Sequence, residues 1–420
     1  MKVSQMTETL IGSEIIKLAG IIKEKIKNGE KIYNLTIGDF DSKIFPIPNE
    51  LEQAIIQAYQ SKETNYPEAD GLLVLRKSIQ NFLQKTLNLN YELDEILVAG
   101  GARPLIFTIF MALLDEGDKV IFPVPSWNNN HYTHILKGKP VMLKTYPEEH
   151  FMPIAKLIAP HVKDATLLAL CSPLNPTGTV FSKNQLIGIC ELVLEENSKR
   201  NKDQKPLYVM YDQIYWTLTY GNYQHFDPVS LYPEMRPYTI YVDGISKSLA
   251  ATGVRVGWST GPQRVIQKMK SLLSHIGAWA PKPEQLATAQ YFQNIQQPLN
   301  YIETLKTKLV IRLNGIYNGI QSIKYEGFDV DAIEPQAGLY LTVKFALQGA
   351  KTPEGKILDN ANEVHQYLLN EAKVAMVPFS AFGDDPNSDW YRISVGTIHE
   401  NDVEIIINQL KTAIHKLNFS

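Results

Sequence analysis

Cysteine is scarce in the 420-residue sequence, which contains only Cys171 and Cys190. Two cysteines in so long a chain do not form the disulfide framework of a small secreted domain, and we expect both thiols to be reduced and buried. Long apolar runs are also missing: none approaches the roughly 18 residues that cross a bilayer, and residues 1–34 lack the pattern of a secretion signal. We therefore expect a cytoplasmic protein without a membrane partner.

Neither sign of charge dominates. The chain has 41 lysines and arginines against 44 aspartates and glutamates, a formal net charge of −3 at pH 7. This balance creates no long-range field for nucleic acid or anionic lipid, so we expect neither as a partner. Separately, we predict no metal site. With 420 residues, 44% of them hydrophobic, the chain can bury a sizeable core and form two or three domains.

Short apolar runs alternate with longer helical patterns through the middle of the chain. This alternation favours an α/β fold with a mostly parallel sheet covered by helices. The seven strand candidates span residues 95–99, 119–123, 141–146, 166–171, 207–212, 239–243 and 255–260. In such open sheets ligands bind at the carboxyl ends of the strands. Asp212 and the turn after Cys171 lie at two of these ends.

The two ends of the chain show different patterns. Residues 13–27 have apolar side chains at helical spacing between lysines, which predicts an amphipathic helix that docks on another element. A break at 277–283 precedes a predicted helix at 300–323 and predicted strands at 338–345 and 391–395. We therefore predict an N-terminal arm (1–45) that joins a smaller C-terminal α+β domain (299–420), and a large domain between them (46–298).

Lys247 is the most informative candidate for chemistry. It is followed by small residues up to Gly253 and then by Arg255, while Asp212 ends an apolar run 35 positions upstream. Desolvation and a nearby cation keep a buried lysine partly neutral, which an imine-forming lysine requires. The pattern suggests a lysine that holds an aldehyde cofactor, an arginine for its phosphate and a carboxylate for its ring nitrogen.

Three further segments have both a functional and a structural interpretation. Gly100 and Gly101 precede a predicted helix, where they either let the backbone approach a phosphate or serve only a tight turn. The prolines around Asn175 either hold its amide toward a ligand or simply stiffen a loop. The indole of Trp127 either lies on an aromatic cofactor or belongs to the core.

The combination of motifs resembles the pyridoxal-phosphate aminotransferases of class I/II (fold type I, aspartate-aminotransferase-like). The most specific matches are the Asn-Pro-Thr-Gly turn at 175–178, the pair Asp212 and Tyr215, and the Ser-Lys-x5-Gly-x-Arg motif at 246–255. The resemblance runs from about Gly38 to Arg392. It implies a seven-stranded, mostly parallel sheet between helices with a smaller domain, and transfer of an amino group between an amino acid and a 2-oxo acid.

The resemblance also implies a role for each matching residue. Lys247 would form the Schiff base with pyridoxal phosphate and move the proton. The other cofactor-binding residues would be Asp212 at the ring nitrogen, Tyr215 and Asn175 at the ring oxygen, Gly101, Ala102, Ser246 and Arg255 at the phosphate, and Trp127 on the ring. Arg392 would bind the substrate carboxylate, with Gly38 and Asn175 as the other substrate-binding residues. Tyr66 would reach the phosphate of a neighbouring subunit, which implies a homodimer with shared active sites.

Some positions depart from the family pattern. Ala102 lacks a hydroxyl for the phosphate, Arg103 and Pro104 are unusual after the two glycines, and Phe379 replaces a frequent glycine, which could reshape the substrate pocket. A lyase or decarboxylase on the same scaffold and a non-catalytic regulator that senses pyridoxal phosphate are the alternatives. A dehydrogenase fits poorly because no Gly-x-Gly-x-x-Gly follows a strand. The amino donor stays open; residues 128–131 either face the substrate or form hydrated surface.

Overall fold

The computed structural model describes residues 2–10, 12 and 14–419. Thirteen strands lie in these ranges: β1 (Tyr33–Asn34), β2 (Ile96–Ala99), β3 (Lys119–Val124), β4 (Lys139–Lys144), β5 (Ala165–Cys171), β6 (Tyr208–Asp212), β7 (Thr239–Gly244), β8 (Gly257–Thr260), β9 (Val330–Ala332), β10 (Tyr340–Phe345), β11 (Val374–Ala375), β12 (Val377–Pro378) and β13 (Trp390–Ser394). The α-helices of the same ranges are α1 (Gln5–Thr9), α2 (Glu14–Lys27), α3 (Asn49–Gln60), α4 (Leu73–Leu87), α5 (Ala102–Leu113), α6 (Asn129–Ile135), α7 (Ala155–Ile158), α8 (Lys183–Lys199), α9 (Pro228–Leu231), α10 (Ile245–Ser248), α11 (Gln263–Ile276), α12 (Lys282–Gln293), α13 (Gln296–Tyr325), α14 (Ala361–Tyr367) and α15 (Asp402–His415).

Seven strands form the larger sheet, in the spatial order β2-β8-β7-β6-β5-β3-β4. Strand β8 runs antiparallel to its neighbours β2 and β7, whereas the remaining pairs are parallel. The predicted mostly parallel seven-stranded sheet is confirmed, and each predicted strand is found within a few residues of its expected position.

Helices cover both faces of this sheet. Strand β5 shows why its sequence lacks polar alternation: Leu167 and Ala169 pack in the core formed with α5 and α11, while Leu168 and Leu170 pack in the core on the other face. All four side chains are buried. Burial on both faces is typical of parallel strands between two helical layers.

The smaller sheet has the order β12-β13-β10-β9 and is antiparallel throughout. The predicted helix at 300–323 corresponds to α13, and the predicted strands at 338–345 and 391–395 correspond to β10 and β13. Strand β1 near the N-terminus pairs in parallel with β11. The first residues of the chain are thus joined to its last third, while the domain boundaries at 45 and 298 stay predictions.

The predicted amphipathic helix at 13–27 is α2, whose predicted start at Ser13 lies outside the described residues. Leu18 and Ile22 of this helix pack in a cluster with Phe151, Phe379 and Phe382, which identifies what the helix docks on. Within the described ranges, no helix has the length and apolar character needed to cross a membrane. The same ranges contain no group of three or more histidine, cysteine, aspartate or glutamate side chains suited to a metal ion.

Both cysteines are free thiols, and Cys190 is buried as expected. Cys171 is only partly buried, so the prediction of two buried thiols was wrong for this residue. It ends β5 at the carboxyl edge of the sheet, where the chain opens into a cleft, and its thiol donates to the carbonyl of Pro173 at 3.2 Å.

Candidate active site

The direction of the strands brings the predicted site residues to one edge of the larger sheet. Strands β5, β6 and β7 end side by side there, with Cys171 paired to Asp212 and Asp212 paired to Val242. Strand β7 continues into the short helix α10, which carries Lys247. Because β8 is antiparallel, its first residue lies at this same edge, and Arg255 immediately precedes it. Residues far apart in the sequence therefore converge on one place.

A cleft of about 1020 Å³ opens at this edge. The predicted site residues that line it are Gly38, Ala102, Trp127, Asn175, Asp212, Tyr215, Ser246, Lys247, Arg255 and Arg392. Gly101 lies directly behind Arg255. Tyr66 does not line the cleft of its own chain; its side chain is 83% exposed and its ring centroid lies 5.5 Å from that of Trp279.

Lys247 is held as an amine with an unusually low proton affinity. Its Nζ donates a hydrogen bond to the carbonyl oxygen of Gly38 at 2.7 Å. Burial lowers the pKa of Lys247 to about 8, against the attraction of Asp39 and together with the positive charges of the cleft arginines Arg392, Arg255 and Arg103. A substantial fraction of the side chain is therefore neutral near pH 8 and can attack a carbonyl carbon.

Asp212 is a buried carboxyl at the end of β6. Burial raises its pKa to about 6, while the backbone N–H of Ile214, which donates to Oδ1 at 3.1 Å, opposes that rise. A cationic N–H placed beside it would stabilise the carboxylate and offset the cost of burial. The arrangement suits a protonated ring nitrogen.

Arg255 and Gly101 form a strained and closely packed anion site. Arg255 has a φ of 63°, a left-handed conformation that costs on the order of 1–3 kcal/mol for such a residue. Its guanidinium donates to the carbonyls of Thr252 (2.7 Å) and Gly100 (2.8 Å). Gly101 has a φ of 93°, a conformation that disfavours other residues, and a Cβ there would also clash with the Arg255 guanidinium. Helix α5 begins directly after Gly101, and the positive end of its dipole together with the Arg255 guanidinium suits a phosphate.

Arg392 is a buried arginine with a free donor. It is 1% exposed, and its Nη1 and Nη2 donate to Asn175 Oδ1 (3.0 Å) and to the Thr36 carbonyl (2.6 Å). The rings of Tyr340 and Phe382 lie 4.7 and 4.9 Å from its guanidinium carbon. Its Nε has no hydrogen-bond partner among the described residues. Nη1 and Nη2 each have a second N–H, so a buried guanidinium that lines the cleft keeps donors for a carboxylate ligand.

The sequence did not single out several residues that complete the site. Tyr340 pairs its hydroxyl with that of Tyr215 at 2.9 Å, and Asp39 accepts a hydrogen bond from Thr252 at 2.6 Å. Ile15 and Ala19 of α2 also line the cleft. For Tyr340, the available signal was its position in a predicted strand, two residues before Thr342 and so on the same face of that strand.

Two expectations about the walls of the cleft change with the structure. Phe379 does not line the cleft: it is fully buried and packs edge-on against Phe151, with ring centroids 5.1 Å apart, so it supports the wall from behind. Of residues 128–131, Asn129 is buried and lines the cleft, whereas Asn128, Asn130 and His131 do not line it.

Comparison with known proteins identifies the family. Residues 30–410 match the aminotransferase class I and II family. The chain belongs to this family. It is 30% identical over 384 residues to the probable aspartate/prephenate aminotransferase of Rickettsia felis, covering 91% of this chain and 89% of that protein. It is also 30% identical over 409 residues to the aspartate aminotransferase of Rhizobium meliloti (strain 1021), covering 97% and 94%.

A solved structure supports the same conclusion. The crystal structure of the aspartate aminotransferase from Rhizobium meliloti superposes with a TM-score of 0.91 at 28% identity and covers 100% of both chains. The predicted resemblance and the fold are therefore confirmed. The protein is an aminotransferase by family, and its named relatives favour transamination over the lyase, decarboxylase and regulator alternatives.

Proposed function

We propose that the cleft binds pyridoxal phosphate and catalyses amino transfer between dicarboxylic amino acids and 2-oxo acids. The observation that carries this proposal is the placement of Lys247 among three cleft arginines, Arg103, Arg255 and Arg392. One amine can hold the aldehyde, and three guanidinium groups can meet a phosphate and two carboxylates.

The residues of the cleft fit this cofactor. Arg255, Ser246 and the start of α5 would hold the phosphate, with backbone contacts from Gly101 and Ala102, whose methyl group offers no further donor. Asp212 would pair with the ring nitrogen, and Tyr215 and Asn175 would donate to the ring oxygen. Trp127 would lie against the ring. When bound, the cofactor supplies an electron sink for the charge left on the substrate carbon.

The protein's own groups position the substrate and move the proton. Arg392, which lines the cleft beside Gly38, would orient the substrate α-carboxylate through the N–H donors of Nη1 and Nη2 that Asn175 and Thr36 leave unused. Lys247, with a pKa of about 8, would act as the base that moves the proton of the substrate α-carbon, a task that needs a group poised near neutral pH. Asp212 would keep the ring nitrogen of the bound cofactor protonated.

Arg103 supports a substrate with a second carboxylate. Its guanidinium carbon lies 5.7 Å from the Trp127 ring centre, and no ion pair or hydrogen bond joins it to another described residue. Its positive charge contributes to the lowered pKa of both Lys247 and Arg255. A negative group beside Arg103 would balance this charge, and the relatives from Rickettsia and Rhizobium are named for aspartate.

We further propose a homodimer with shared active sites in the cytoplasm. Tyr66, expected from the resemblance to contact the phosphate of a neighbouring subunit, is 83% exposed in the single chain. Other large apolar side chains on α3 and α4 are exposed as well: Ile56, Tyr59, Leu73 and Val74. Burial of such side chains between two copies would favour association.

A donor panel tests the proposal. The purified protein, supplied with pyridoxal phosphate, is assayed with aspartate and alanine against 2-oxoglutarate, and with glutamate against oxaloacetate. We expect a visible absorbance band and strong preference for aspartate and glutamate. Arg103→Gln should raise KM for these donors about 10-fold or more and leave alanine unaffected, while Arg103→Lys keeps part of the preference.

Arg264→Gln, at an exposed arginine of α11 outside the cleft, is the matched control and should change no KM. Absence of cofactor uptake would refute the whole proposal. An equal effect of Arg103→Gln on aspartate and alanine would refute only the dicarboxylic substrate. Light scattering of the purified protein at the mass of one chain would refute the dimer.

A further inference from the structure

Tyr340 contacts two residues of the cleft, Tyr215 and Arg392. It lies on β10, is 2% exposed, and its hydroxyl oxygen is 2.9 Å from that of Tyr215. Across the small sheet Arg392 pairs with Thr342, so Tyr340 lies two residues along on the same face, a diagonal neighbour of the arginine. Its ring therefore contacts the guanidinium of Arg392 while its hydroxyl reaches Tyr215.

The position of the hydroxyl is closely fixed. A Cβ added at Gly38 would lie 2.6 Å from the Tyr340 oxygen, so the missing side chain at residue 38 leaves the space that this hydroxyl fills. Among the described residues, the Tyr340 hydroxyl forms its hydrogen bond with Tyr215. Burial raises the pKa of both phenols, so both stay protonated near neutral pH.

The hydrogen bond between the two hydroxyls can run in either direction, and its direction decides which hydroxyl has a proton left to donate. Each phenol has one proton to donate. If Tyr215 donates to Tyr340, Tyr215 has no proton left for an acceptor in the cleft, and the unused proton of the pair belongs to Tyr340. If Tyr340 donates to Tyr215, the proton of Tyr215 is free for an acceptor in the cleft, and the donation also polarises the Tyr215 hydroxyl and strengthens it as a donor.

We propose that Tyr340 is a positioning residue whose hydroxyl donates to Tyr215 and so directs the Tyr215 proton to the ring oxygen of the bound cofactor; this rests on the proposed binding of pyridoxal phosphate. In this proposal the Tyr340 hydroxyl acts through Tyr215 and not on the reacting atoms. Its ring has a second, separable task, since it packs on the guanidinium of Arg392.

The spectrum of the loaded enzyme provides a readout that a purely structural role would not move. A hydrogen bond donated to the ring oxygen of the cofactor would stabilise the anionic form of that oxygen. It would therefore lower the pKa of the proton that this oxygen would share with the Lys247 nitrogen. Loss of that donation should raise the pH at which the visible band changes. We expect Tyr340→Phe to raise this midpoint by about 0.5 to 1 pH unit, the scale of one hydrogen bond.

The matched variants are Tyr215→Phe, the double variant and Tyr391→Phe. Tyr391 is fully buried and next to Arg392 on β13, but its side chain points to the other face and its hydroxyl donates to Ala361. We expect Tyr215→Phe to raise the midpoint, the double variant to match it, and Tyr391→Phe to match the native protein. Because Tyr340→Phe keeps the ring, KM for the substrate should change less than twofold while kcat falls.

Two outcomes would overturn the proposal. The first is that Tyr340→Phe keeps the native pH midpoint although Tyr215→Phe shifts it. The second is that the midpoint of the double variant lies above that of Tyr215→Phe by the full shift that Tyr340→Phe causes alone. If Tyr340→Phe does not fold, 3-fluorotyrosine at position 340, a stronger donor, should lower the midpoint, and no shift would again overturn the role. A native protein without any visible band would instead contradict the proposed cofactor.

Discussion

The amine of Lys247 donates a hydrogen bond of 2.7 Å to the carbonyl oxygen of Gly38, although the two residues are 209 positions apart. This contact ties the N-terminal segment to the lysine at the edge of the large sheet. It orients the amine without adding a negative charge beside it. Burial can therefore lower the pKa of Lys247 to about 8.

We predict that uptake of pyridoxal phosphate by the cofactor-free protein speeds up with pH and levels off above about pH 8. The neutral amine is the nucleophile, and its fraction rises up to tenfold per pH unit below the pKa. Stopped-flow absorbance from pH 6 to 9.5 measures the rate. A free lysine side chain, with a pKa near 10.5, serves as the reference and should still gain rate at pH 9.5. A protein profile that parallels this reference would contradict the lowered pKa.

Gly38→Ala should destabilise the protein, because the added Cβ would lie 2.6 Å from the Tyr340 hydroxyl oxygen. Overpacking of this kind costs on the order of 1–3 kcal/mol. Tyr340→Phe removes the oxygen that is struck, so Gly38→Ala should cost less in that background. Urea unfolding of the four proteins gives the coupling free energy. Additive effects of the two substitutions would contradict the close contact.

Arg392→Lys should raise KM for both the amino acid and the 2-oxo acid by about 10- to 100-fold, because a lysine cannot replace the planar guanidinium. Pyridoxal phosphate affinity should stay native. Arg312→Lys is the control: Arg312 is also buried and donates to the Ile398 carbonyl at 2.9 Å, but it does not line the cleft. It should lower the melting temperature and leave KM unchanged. Equal KM changes in the two variants would remove Arg392 from carboxylate binding.

Asp243 should make stability fall as pH rises. Burial raises its pKa from 3.8 to about 8, although the N–H of Gly244 (2.7 Å) and the indole N–H of Trp216 (2.8 Å) stabilise its charge. The folded state then binds more protons than the unfolded state between about pH 4 and 8, and stability is lost across that window at up to about 1.4 kcal/mol per pH unit.

Asp243→Asn removes this titration, so the difference in unfolding free energy between the native protein and the variant should change steadily from pH 5 to pH 8 in favour of the variant. Denaturant unfolding of the cofactor-free proteins measures it. Asp203→Asn, at an exposed aspartate, is the matched control and should give a difference that does not depend on pH. The same flat result for Asp243→Asn would show that Asp243 is ionised in the folded protein.

The sequence predicted the strands of the large sheet well because a strand buried on both faces has an unbroken apolar run. The direction of β8 could not be read in the same way, since a short apolar strand has the same composition in either direction. That direction matters for the site: it is the antiparallel run of β8 that brings Arg255 to the edge where Asp212 and Lys247 lie.

Within the site, residues in recognisable motifs were predicted and residues defined by distant contacts were missed. Asn175, Lys247 and Arg392 line the cleft as expected. Tyr340 appeared as one more strand residue because its partner Tyr215 is 125 positions away. Asp243 appeared as the polar end of an apolar run; only the fold encloses its carboxyl beneath the indole of Trp216.

Borohydride reduction followed by peptide mapping tests the central claim most directly, because it fixes any bond between a lysine and pyridoxal phosphate in place. The native protein, loaded with the cofactor, should give one modified peptide, with the cofactor on Lys247. Lys247→Ala should give none and should lose turnover. A native protein that is modified at another lysine, or at no lysine, would contradict the assignment of Lys247 and the account of the cleft built on it.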